Sequence, residues 1–76
     1  MQDPMSGENI TVGARVTNGE AHYDVHLKRN VWKWTARVVA IDHGHAWVQQ
    51  VTGSFLGTYL TFKVDDLFNV TGIDPA

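Results

Sequence analysis

The chain reads as all-β: a small, strongly bent five-stranded barrel with one short terminal helical turn. Two observations predict this. Apolar residues alternate or run in short stretches rich in Val, Ile, Trp and Thr, with no sustained 3.6-residue period, and glycine falls at nearly every corner between those stretches. The whole chain has 76 residues and no cysteine, so it has material for one core and none for disulfide staples or thiolate chemistry.

The clearest element is Trp34 to Gln50. Two apolar runs flank Asp42-His43-Gly44-His45, and a two-residue loop His43-Gly44, with glycine where positive φ is needed, closes a β-hairpin. Counting outward from that loop puts Ile41 opposite Ala46, Val39 opposite Val48 and Arg37 opposite Gln50 on one face. The other face receives Ala40 opposite Trp47, Val38 opposite Gln49 and Ala36 opposite Val51. The expected core is Val39, Ile41, Ala46 and Val48, with Trp47 partly exposed; a bulge in Arg37-Val38-Val39 would switch the inward set. Both faces are largely apolar, so one needs a cover, either the chain itself or another molecule.

Upstream, the first four residues precede a second methionine, Met5, and read as an expression-vector remnant; residues 1–9 are expected to be loose. The domain proper is set at residues 10–72, with residues 73–76 as a tail. Thr11 to Val16 alternates around Gly13 and predicts a first strand with Val12 and Val16 inward, followed by a turn at Asn18-Gly19. Residues 20 to 33 mix a strand-like alternation (Tyr23, Val25, Leu27) with a helical spacing of His22 and His26, and read as an extended loop or irregular strand. Beyond the hairpin, Thr52-Gly53-Ser54 turns the chain and Phe55 to Phe62 gives a strand interrupted at Gly57. Val64 to Leu67 reads as one tight helical turn capped by Asp65 or Asp66, and Leu67 to Val70 as a closing strand.

Gly13-Ala14-Arg15-Val16, the long strand ending at Asp42, Ala46-Trp47-Val48 and Leu60-x-Phe62-x-x-Asp65-Asp66-Leu67 together resemble the small SH3-like β-barrels of phage and mobile-element proteins, with echoes of Tudor and KOW modules. The resemblance spans about 60 residues and implies a fold more than a function. One enzyme family of that architecture, the plasmid-borne type II dihydrofolate reductases, shares the Gly-x-Arg-Val opening. Its active strand, Val-Gln-Ile-Tyr, corresponds here to Tyr59-Leu60-Thr61-Phe62. Leu60 replaces the ligand-holding amide and Phe62 lacks the tyrosine hydroxyl, so the resemblance does not bring the activity with it.

Charge and composition narrow the function further. The formal net charge is −2, which sets up no global basic field, and no stretch approaches the roughly 20 apolar residues of a membrane span. The expected location is cytoplasmic, with no membrane partner and no cofactor. Asp42, His43 and His45 offer too few ligands for a structural zinc, so no metal site is expected. No nucleophile has an assignable base, and Asp65-Asp66 is explained by capping, so no catalytic residue is assigned.

Two binding surfaces remain. Three tryptophans in so small a domain crowd a single core, and aromatic residues anchor protein interfaces, so the leading expectation is a non-enzymatic protein-binding module using Trp34, Trp47 and Tyr59. The alternative is nucleic-acid binding through Lys28, Arg29, Trp32, Lys33 and Arg37, where four of the six basic residues interleave with tryptophan. A third possibility is a homo-oligomer with an enzymatic site on its symmetry axis.

Overall fold

The computed structural model describes residues 6–75. The supposed vector remnant Met1 to Pro4 lies outside them. The strands are β1 (Arg15–Thr17), β2 (Ala21–Asp24), β3 (Arg29–Trp32), β4 (Thr35–Asp42), β5 (His45–Thr52), β6 (Tyr59–Lys63) and β7 (Phe68–Asn69), with a 3-10 turn at Val64–Asp66. Five of them form an antiparallel sheet in the order β6-β5-β4-β1-β7, and β2 pairs with β3 in a separate two-stranded sheet. The protein is therefore nearly all-β, as expected. The large sheet stays open, with β6 and β7 at its edges, where a closed barrel was expected.

The β4–β5 hairpin closes as its sequence dictates. Asp42 pairs with His45, and His43 and Gly44 both take positive φ, 49° and 76°, the pattern of a tight two-residue turn whose twist matches the strands. The pairings Ile41↔Ala46 and Ala40↔Trp47 also follow the count. Beyond them the count fails, because Val39 is an extra residue on β4: Val38, not Val39, lies opposite Val48, and Arg37 lies opposite Gln49. The shifted offset continues to Ala36, which faces Gln50; a second extra residue, Val51 on β5, then restores it, so that Thr35 faces Thr52.

These bulges decide the core. Val16, Ala36, Val38, Ala46, Val48 and Leu67 are sealed on one face, and Ile10, Trp34, Leu60, Phe62 and Val64 pack against them. Val39 is instead exposed. Ile41 shares the core side of the register with Ala46 but sits near the hairpin tip, and 38% of it remains exposed. Val12 is also turned out, because regular pairing of β1 begins only at Arg15; ahead of it, Gly13 N donates to Val38 O and Val38 N to Ala14 O.

Residues 20 to 33 form a regular hairpin in place of an irregular strand. Asp24 Oδ1 accepts from the backbone N of His26 and Leu27, and Lys28 takes positive φ, which turns the chain between β2 and β3. Lys33 N donating to Glu20 O closes the open end of the hairpin, and it is held to the rest by Trp32 Nε1 donating to Ile73 O at 2.9 Å and by the exposed Arg29–Asp74 ion pair. Phe55 to Gly57 is not strand but part of the turn joining β5 to β6, fixed by Gly57 N donating to Gln50 O. The 3-10 turn forms where expected, but no side chain caps it. Its successor Leu67 plugs the core.

Candidate functional site

Register alone lays out the uncovered face of the β4–β5–β6 meander. Across the three strands, one row reads Asp42, His45, Lys63; the next Ala40, Trp47, Thr61; the third Arg37, Gln49, Tyr59. Trp47 and Tyr59 are thus diagonal neighbours on adjacent strands, within reach of one another's rings. They are 40% and 65% exposed, and Ala40 on the far side of Trp47 is too small to shield it. β1 extends the third row by one more residue, because Arg15 lies opposite Arg37. Two guanidinium groups side by side on one face repel, and among the described residues no carboxylate pairs with either of them. Arg15 Nε does find a neutral partner, donating to Thr35 Oγ1 at 3.0 Å.

Trp34 belongs to the opposite face. It stacks on Phe62, with ring centroids 5.3 Å apart and planes 15° from parallel, against the core. Together with Leu60, Phe55, Gln50 and Lys33 this pair lines an open cleft of about 370 Å³. The approach is tight behind it: a Cβ on Gly53, whose φ is +107°, would lie 2.6 Å from Gln50 Nε2 and 2.9 Å from Trp34 Cβ. Gln50 is buried, with its Nε2 donating to Thr52 O, and Trp34, Phe55, Leu60 and Phe62 give the cleft a largely aromatic and aliphatic wall.

The expected protein-binding triad is therefore split: Trp47 and Tyr59 share a face, and Trp34 lies behind the sheet. The expected nucleic-acid stretch is also dispersed. Lys28 and Arg29 sit at the β2–β3 hairpin, where Arg29 is paired with Asp74. Trp32 is tied to Ile73, Lys33 borders the cleft, and Arg37 is on the outer face. Arg15 went unassigned in the sequence because its significance arises only from pairing with Arg37, 22 residues along the chain. At the hairpin tip, Asp42 Oδ1 and His43 Nδ1 stand 2.6 Å apart in open solvent. Among the described residues no three His, Asp or Glu side chains converge as a metal site, and no helix is long and apolar enough to cross a membrane.

Compared with protein-family models, with curated proteins and with solved structures, the chain matches none.

Proposed function

We propose that the protein is a non-enzymatic binding module that docks a protein partner on the outer face of the meander, through Trp47 and Tyr59. The observation that carries this reading is the exposure of two adjacent aromatic side chains on a face that the fold leaves uncovered. Arg15 and Arg37 beside them suit a partner that presents carboxylates next to an apolar contact. Trp34 is better explained by packing on Phe62 and has no part in this contact.

An SH3-like architecture of the phage and mobile-element type remains part of the proposal. Its support is topological: three consecutive strands, β4 to β6, form a meander; β1 pairs with both β4 and the last strand; and a 3-10 turn precedes that last strand.

Nucleic acid is the second reading. It is supported by the alignment of Arg15 with Arg37 on the same face as Trp47 and Tyr59, a combination of phosphate-pairing and base-stacking groups. The two readings separate in one experiment. Trp47→Ser, Tyr59→Ser and Arg37→Glu variants are compared with the unaltered protein in pull-downs from the source organism and in titrations of labelled single- and double-stranded oligonucleotides. The protein reading expects a specific partner lost most completely with Trp47→Ser, with salt acting mainly on the association rate. Oligonucleotide binding that falls steeply with salt, with the slope reduced by about one for each arginine removed, would put nucleic acid first.

A further inference from the structure

The two edges of the large sheet are finished differently. Along β7, Leu67 O accepts from Gly7 N at 2.8 Å and Asn69 Nδ2 donates to Asn9 O at 2.7 Å, so residues ahead of Ile10 lie against that edge. Along β6, no strand among the described residues pairs with the outer side.

The register fixes which main-chain groups lie there. Asp42 and His45 flank a two-residue turn and so exchange bonds with each other, which directs the even-numbered residues of β5 toward β6. The bonds beyond both ends of the ladder agree: Gln50 N donates to Thr58 O, Gly57 N to Gln50 O, and Val64 N to Gly44 O. The β5–β6 offset is constant from His45↔Lys63 to Gln49↔Tyr59. Leu60 and Phe62 therefore turn their peptide groups toward β5, and Tyr59, Thr61 and Lys63 turn theirs outward.

We propose that this edge pairs with the same edge of a second copy of the chain, antiparallel and centred on Thr61, making one continuous sheet from two. Of the registers open to an antiparallel pair, only this one engages all three outward residues of each copy. It sets Thr61 against the second copy's Thr61 and Tyr59 against its Lys63, an ammonium over an aromatic ring. On the inner side it brings half-buried Leu60 against half-buried Phe62. Sliding the register far enough to oppose Lys63 with Lys63 would set like charges together and leave Tyr59 and Thr61 unpaired. Bare edges with unspent N–H and C=O groups are sites of strand addition, and this one is complementary to itself along its whole length. The inference does not rest on the partner reading above, although pairing would also join two Trp47–Tyr59 surfaces into one strip.

The contact is one strand wide, so self-association is expected to be weak and is measured by sedimentation up to about 1 mM protein. A reversible dimer is expected. Thr61→Asp and Thr61→Lys, both on the exposed face, are each expected to weaken it at least tenfold alone, because residue 61 meets its own copy. An equimolar mixture of the two is expected to form a heterodimer at least as tight as the original. Thermal unfolding of each variant alone checks that it is folded. A chain that stays monomeric at about 1 mM, or a mixture that associates no better than its components, overturns the proposal. A folded Thr61→Pro variant, which lacks the outward N–H but no bond to β5, is expected to be monomeric; persistent dimers would equally defeat it.

Discussion

On the inner side of the meander, Val38, Ala46, Val48 and Gln50 are almost sealed from solvent. One residue away on the same strands, Val39 and Trp47 stand 42% and 40% exposed. Both faces are apolar in composition, and the difference lies in what covers them. Ile10, Val64 and Leu67 come from the segments flanking the sheet and all pack on one side, whereas from Arg37 to Asp42 and along β5 and β6 no outward residue is buried. The lesson is economic in chain length: a domain of this size closes one face of its sheet and only the β1–β7 end of the other, so apolar groups on the open part do nothing for its core. That surplus is the reason for looking to the outer face for binding.

The comparison can be broken by mutations that should act on only one face. The largest effect is expected at Leu67, which is fully buried where the chain leaves the 3-10 turn. Leu67→Ala should cost about 2–5 kcal/mol through lost burial and the cavity left behind, enough to abolish cooperative unfolding in a domain with so small a core. A melting midpoint close to that of the unaltered protein would mean that the inner face is not closed by this residue.

Gly53 comes next, because it tests how closely the inner face is packed at the Trp34 end. Gly53→Ala should cost about 2 kcal/mol or more, since φ of +107° strains any other residue and the new methyl meets the Gln50 amide and Trp34. Urea denaturation reads this directly, and tryptophan fluorescence should shift with it as Trp34 is displaced from Phe62. At Gly44, where a Cβ would meet nothing within 4 Å, only the backbone strain should appear.

Adjacent residues on β4 sharpen the contrast. Val38→Ala should cost about 1–3 kcal/mol, and Val39→Ala less than about 0.5 kcal/mol, because the bulge turns one into the core and the other into solvent. Equal losses would place the bulge elsewhere.

This pair of valines also marks how far the sequence could be read. The hairpin turn was legible because His43-Gly44 must take positive φ, and the pairings next to it followed. The bulges were not legible, since one extra Val among Arg37-Val38-Val39-Ala40 changes neither composition nor propensity, yet it inverts the phase of everything behind it. The same limit hid part of the outer surface. Trp47 and Tyr59 stood out as aromatics, but the Arg15–Arg37 pair exists only through long-range strand pairing. In the basic run from Lys28 to Arg37, nearness in sequence implied a common surface that the chain's path through β3 and β4 takes apart.

The smallest effect should be favourable, and it tests whether the β1–β7 end of the sheet is as dry as its burial implies. Thr17 is completely buried on β1, opposite Phe68, and its Oγ1 finds no hydrogen-bond partner among the described residues. An orphaned hydroxyl carries its desolvation cost into the folded state, whereas valine has nearly the same shape and no polar atom to satisfy. Thr17→Val should therefore raise stability by up to about 1 kcal/mol, seen as a higher denaturant midpoint at unchanged slope. Wild-type threonine proving the more stable would show that its hydroxyl is bonded after all, and the one candidate consistent with full burial is an internal water. In that case the buried end of the sheet at β1 and β7 would be polar, and the contrast between the two faces would hold only along β4 and β5.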